Sequence, residues 1–179
     1  MLPAGPLMIE HRLIEKMIGI LKTGEPLIRQ SGRLNPSFVE KTVDFFRIYA
    51  DRTHHGKEED ILFKKLSEKQ MRRDLKEIME ELIREHAFAR SKVKALEEAA
   101  GRFQKDPQAL QEVLENLKTL TSFYPAHIEK EDKRFFLPVM DYLTDEEKNR
   151  MMADFEAFDR AMIHEKYGRV VETFPSPTP

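Results

Sequence analysis

The sequence predicts an all-α protein: an up-down-up-down four-helix bundle with an additional C-terminal helix. Three observations carry this. Apolar residues recur at helical period through long segments. Helix start signals stand at the head of those segments, and almost nothing alternates as a strand would. Long helices joined by short turns pack as antiparallel neighbours. With 40% hydrophobic and 35% charged residues in 179, the chain suits one soluble domain able to bury a core.

The elements follow in order. The first helix is expected from about Pro6 to Arg29, weakened in its second half by Gly19, Gly24 and Pro26, and the turn "QSGRLNP" follows it. Asn35 before Pro36 is an N-cap with proline at the first helical position, opening a second helix to about Leu66. Ser67 and Gln70 have capping-box spacing and should start a third helix reaching about Arg102. Asp106 and Pro107 open a fourth, which ends near Tyr142. Thr144 with Glu147 is another capping box, heading a fifth helix to about Val171. Residues 1–143 are thus read as the bundle, 144–171 as a helix packed on it, and 172–179 as a flexible tail.

Composition removes whole classes of function. With no cysteine, disulfides, thiolate metal sites and thiol catalysis are excluded, leaving histidine and carboxylate as the strong metal ligands. A net charge of −2 with interspersed signs offers no basic face for nucleic acid. The opening "MLPAGPLMIEHRLIEKMIGI" has charges within ten residues and no long apolar run, so neither a signal peptide nor a membrane span is expected and the protein is read as cytoplasmic. No serine elbow or phosphate-cradling glycine loop is present.

Two stretches carry the chemistry. "HHGKEEDILF", His54 to Phe63, and "HIEKEDKRFF", His127 to Phe136, share H-x-x-x-E, a following acid, and large apolar residues eight and nine positions after the histidine. Residues four apart stack on one helical face, roughly 6 Å from each other. His54 with Glu58, and His127 with Glu131, therefore each pair a nitrogen with an oxygen donor. His11 and His86 each follow a glutamate in an apolar-periodic helix, 43 and 41 residues ahead of His54 and His127. The chain reads as two helical hairpins, each with H on its first helix and H-x-x-x-E on its second. Folded together, they would bring four histidines and two glutamates to one level of the core. Two metal ions bridged by Glu58 and Glu131, each with two imidazoles, satisfy that set and leave positions for water, oxide or a small ligand.

The order H, HxxxE, H, HxxxE on four consecutive helices resembles the hemerythrin-like, HHE cation-binding family over about residues 6–142. The resemblance implies a non-haem di-iron centre of two Fe2+/Fe3+ ions with an oxo or hydroxo bridge and carboxylate bridges. Carried over by position, His11, His54, Glu58, His86, His127 and Glu131 match the metal ligands. Such proteins bind dioxygen, sense oxygen or iron, handle nitric oxide or peroxide, or supply iron for iron–sulfur cluster repair. Manganese and zinc also suit the donor set.

Two departures bear on the role. Oxygen carriers of the family place a further histidine where this chain has Arg90. They also carry an aspartate at wider spacing where this chain has Glu131. The pattern stands closer to the cluster-repair and iron-sensing branches, although repair proteins usually add an N-terminal cysteine-containing domain that this sequence lacks. Binding or sensing of a small oxidant is the leading expectation, with turnover of peroxide or nitric oxide left open. An iron store or sensor in iron homeostasis is the alternative, and no protein partner is identified.

His55 is a further candidate ligand. Phe45, Ile48 and Tyr49 set a phase that points toward His55 and Glu59, whereas the downstream repeat points toward His54 and Glu58. A π-bulge would reconcile the two, and the position after the second-helix histidine is a ligand in some members of the family. His164 lacks such support and is read as a core or surface residue. Glu15 is read as an exposed acid, Glu59 and Asp132 as solvated acids or partners of the ligands, and Tyr124 and Tyr49 as core residues whose hydroxyls lie near the site. Pro125 should kink the fourth helix. Phe45, Phe63, Leu117, Leu120, Phe123 and Phe135 are read as core that keeps water from the metals.

Overall fold

A computed structural model describes residues 2–172, with side chains as far as Ile163 together with Lys166. It is helical throughout, with no strand among the described residues. Helix α1 spans Ala4–Ser31 and closes on Gly32, whose φ of 63° lets its N–H reach Ile28 O. Helix α2 is a continuous run through Pro36–Asp44, Phe45–His55, Glu58–Phe63 and Lys64–Ser67. Helix α3 is Arg73–Phe103. Helix α4 begins as Ala109–Lys130 and continues through Glu131–Phe135 and Phe136–Val139 into the 3₁₀ turn Met140–Tyr142. Helix α5 is Asp145–Glu172. The tail expected beyond it, and the side chain of His164, lie outside the described residues.

Several start signals act as the sequence implies. Asn35 accepts from the Ser37 N–H at 3.0 Å with Pro36 at the first position. Thr144 and Glu147 exchange hydrogen bonds as a reciprocal capping box, Thr144 N–H to Glu147 at 2.9 Å and Glu147 N–H to Thr144 Oγ1 at 3.2 Å. Asp106 accepts from the Gln108 N–H at 3.0 Å, just ahead of α4.

One expectation holds with a reason not visible in the sequence, and one is corrected. Helix α1 runs through Gly24 and Pro26 to Ser31, close to the expected end at Arg29. A Cβ at Gly24 would come within 2.9 Å of the Phe38 ring, so the glycine makes room for α2. The Ser67–Gln70 capping box does not form. Ser67 Oγ instead donates to Lys64 O at 2.7 Å, and α3 begins only at Arg73. The intervening link is held by the Arg72 N–H, which donates to Tyr142 Oη at 3.1 Å. Helix α4 is continuous across Pro125.

The core consists of two apolar clusters with a polar layer between them. One holds Ile14, Leu21, Phe46, Val93, Leu117 and Leu120; the other holds Leu7, Leu62, Leu82, Phe135, Phe136 and Phe155. Each buried Leu, Ile or Phe stabilises the fold by about 1.5–3 kcal/mol. Along α1 and α3 the chain passes from the second cluster to the first, and along α2 and α4 from the first to the second. At each crossing it contributes one histidine or more to the layer between. Helix α4 packs most extensively on α3 and also on α1, while α5 lies against α2. No helix among the described residues is long and apolar enough to cross a membrane.

The backbone is π-helical at the layer itself. Phe45–His55, Glu58–Phe63 and Glu131–Phe135 all have the wider turn, and Thr53 Oγ1 donates to Ile48 O five residues back at 2.7 Å. A residue inserted into the α-helical phase allows consecutive side chains to face inward. His54 and His55 are accordingly both 1% exposed, which resolves the conflict of phase seen in the sequence. The corresponding wide turn at Glu131 was not foreseen.

Candidate metal centre

All seven candidate residues meet in this layer: His11, His54, His55, Glu58, His86, His127 and Glu131 are each no more than 2% exposed. They form two groups whose donor atoms lie within 4.8 Å of one another: His55, His86 and His127 in one, and His11, His54, Glu58 and Glu131 in the other. Glu58 and Glu131 stand between the imidazoles. Glu58 lies 3.4 Å from both His54 Nε2 and His86 Nε2. Glu131 lies 3.1 Å from His11 Nε2, 3.3 Å from His127 Nε2 and 3.6 Å from His86 Nε2.

The outward nitrogens of four of the five histidines are held by a second set of carboxylates. His11 Nδ1 bonds Asp132 at 2.7 Å, His54 Nδ1 bonds Glu10 at 2.8 Å, His86 Nδ1 bonds Glu59 at 2.7 Å, and His127 Nδ1 bonds Glu85 at 2.7 Å. A ring that donates from Nδ1 keeps its Nε2 lone pair free and directed inward. Each of these carboxylates meets a cation in turn: Arg12 on Asp132, Lys57 on Glu10, Arg90 on Glu59 and Lys130 on Glu85. Glu59 and Asp132 thus prove to be partners of ligand-type histidines rather than solvated acids. Glu10 and Glu85 had no role assigned from sequence, although each directly precedes a histidine of the repeat. Lys57 and Lys130 were missed as well, each three residues after a repeat histidine.

The inner atoms have no such partners. Apart from Asp159 Oδ1, which faces the Lys57 ammonium at 2.7 Å, every buried side-chain nitrogen or oxygen lacking a hydrogen bond among the described residues belongs to the seven. These include Nε2 of all five histidines and both oxygens of Glu58 and Glu131. Leaving so many polar atoms unpaired in a dry interior is strongly unfavourable. A cation or pair of cations coordinated by imidazole and carboxylate satisfies them at once, so the residues fit the group the sequence implies.

The electrostatics match that role. Burial pushes His54 down to about 4, against the pull of Glu10. Burial and the neighbouring imidazoles of His86, His54 and His127 hold His55 well below the usual histidine range. Burial alone would lower His11, yet Asp132 and Glu131 lift it to about 9. Burial and the adjacent Glu131 carboxylate push Glu58 well above the usual carboxylate range. Without a cation the layer thus gathers protons on some of its members, and a bound cation takes over that compensation.

Other residues fall outside the donor set. Tyr124 is buried beside it, with its ring 6.5 Å from that of His55 at 11°. Tyr49 stacks on Phe45 at 5.2 Å. Arg90, at the position of the carriers' additional histidine, bonds Glu59 and Asp51, each at 2.7 Å. Glu15 is exposed and pairs with Arg12 at 2.9 Å.

A helical protein with a buried histidine and carboxylate layer, its outward nitrogens fixed and its inward ones free, is of the cation-binding class. The profile of the hemerythrin HHE cation binding domain matches residues 4–137, and the chain belongs to that family. Comparisons with curated proteins and with solved structures returned no match.

Proposed function

We propose that this chain is a non-haem di-iron protein that binds or senses a small oxidant, dioxygen, nitric oxide or peroxide, within an up-down-up-down bundle. The supporting observation is the division of the layer into two donor groups with Glu58 and Glu131 between the imidazoles. His55, His86 and His127 would hold one ion, His11 and His54 the other, and the two glutamates would be shared. Iron bound there would supply a one-electron couple and a Lewis acid for the oxidant.

The protein's own residues set the conditions. The carboxylates of Glu10, Glu59, Glu85 and Asp132 fix the rings of His54, His86, His127 and His11 and raise their basicity as ligands. Phe63 and Phe136 flank the layer, with Phe136 stacked on His11 at 5.6 Å and Phe63 on His86 at 6.0 Å. They keep water out and the local dielectric low.

The test is to load the protein with iron anaerobically and expose it separately to air, nitric oxide and hydrogen peroxide, following the optical spectrum and consumption of each. A saturable spectral change without consumption supports binding or sensing, and multiple turnovers would make it an enzyme. Iron uptake with no response to any of the three would contradict the proposal and leave an iron store or donor.

A further inference from the structure

We propose that His55 is the labile ligand of this centre, and that a small exogenous ligand enters through the cavity beside it and takes the place of its imidazole. The proposal rests on the metal-binding reading above.

The five histidines differ in how their outer nitrogens are held. Four have Nδ1 clamped by a carboxylate at 2.7–2.8 Å. His55 does not: its Nδ1 is 3.4 Å from Asp51 Oδ1, and both its ring nitrogens lack a hydrogen-bond partner. That Asp51 oxygen is taken by Arg90 Nε at 2.7 Å. An imidazole with no outer partner is less firmly oriented and less basic than its clamped neighbours, and so the easiest to displace.

The internal repeat points the same way. His11 and His86, His54 and His127, Glu58 and Glu131 are matched pairs, but the residue after His127 is Ile128. His55 is the unmatched donor, and the six paired residues form a symmetric set without it.

There is also space for the exchange. A cavity of about 200 Å³ opens between α2 and α3, with His55, Phe46, Val93 and Tyr124 on its wall and Arg90 and Lys94 also lining it. A water occupies roughly 30 Å³ in the liquid, so this volume admits a triatomic ligand. The His55 ring rests against His86, with centroids 3.8 Å apart and planes 8° from parallel, and it terminates the π-helical stretch Phe45–His55.

Azide is the probe, titrated optically into iron-loaded full-length protein alongside iron analysis. His55→Ala is expected to retain clearly more iron than the control His86→Ala. If His55 occupies its position about nine-tenths of the time, removing it tightens azide binding by about tenfold, and added imidazole should compete with azide in that variant. Lys94→Trp changes an exposed position at the cavity and should slow azide association with iron content unchanged, a readout that holds even if His55→Ala fails to fold. Loss of iron in His55→Ala equal to that in His86→Ala, or unchanged azide affinity per bound iron, would overturn the proposal and leave the metal centre standing. An unchanged association rate in Lys94→Trp would overturn the entry route. Failure of the wild-type protein to take up iron would overturn both readings.

Discussion

His127 on α4 donates from Nδ1 to Glu85 on α3 at 2.7 Å, and Lys130, one turn further along α4, holds the same carboxylate. The unit is repeated across the bundle as His54, Glu10 and Lys57. It couples the orientation of an inward-facing ring nitrogen to a carboxylate and, beyond it, a cation. Glu85→Ala should therefore lower metal affinity by about 10–100-fold while leaving the fold intact. Competition with a calibrated chelator measures this, and unchanged affinity would deny Glu85 its orienting role.

Lys57 is completely buried and lies between Glu10, Asp159 of α5 and the Phe155 ring, 5.8 Å from the ring centroid. Removing one partner of a buried pair strands the other. Glu10→Ala should cost about 3–5 kcal/mol on that ground, more than Glu85→Ala: each variant leaves its lysine one carboxylate, Asp159 or Glu81, but Lys57 is wholly buried whereas Lys130 is 13% exposed and can be solvated. Urea denaturation of the two metal-free variants gives the comparison, and equal costs would contradict it.

Helix α5 sits close to the centre because residue 56 has no side chain. A Cβ at Gly56 would lie 2.8 Å from Phe158 Cζ, with Asp51 O also nearby at 3.8 Å. Gly56→Ala should displace the Phe158 ring and cost about 1–3 kcal/mol. Faster amide hydrogen exchange confined to α5 and the adjoining part of α2 is the expected signature. Unchanged exchange there would show that the contact is slack.

Acid and base act on the metal-free layer in opposite senses. His54 is depressed to about 4, so below about pH 6.5 the unfolded chain takes up the proton first and stability falls with pH down to about 4. His11 is raised to about 9; its contribution is complete below about pH 6.5 and is lost as pH rises through 9. For these two groups stability peaks near pH 6.5, which thermal melts across pH will test. Metal binding needs neutral imidazoles, so affinity should rise with pH and the metal should leave on acidification below about 6.5. Full occupancy at pH 4 would count against these ligands.

Much of this was legible in the sequence, for reasons that lie within single helices. Six of the seven candidate ligands follow from i, i+4 spacing and an internal repeat, and His55 from the conflict of helical phase ahead of it. The Asn35 cap and the Thr144–Glu147 box are local chemistry, and the opposed phases of Tyr49 and Glu58 called for the wide turn that α2 contains. What was not legible depends on a partner from elsewhere in the chain. The packing roles of Gly24 and Gly56 emerge only where Phe38 and Phe158 lie against them. Ser67 has capping spacing, but Tyr142 holds the link that follows it. Glu10, Glu85, Lys57 and Lys130 resemble ordinary surface charge until the bundle closes and each meets its partner on a neighbouring helix.

The most direct test of the central claim is iron stoichiometry after anaerobic reconstitution and gel filtration, measured for the wild-type chain and for Glu58→Ala with Glu131→Ala. The account predicts about two irons per wild-type chain and loss of both in the double variant, with helical content retained. No iron in the wild-type chain, or the same iron content in both proteins, would contradict it.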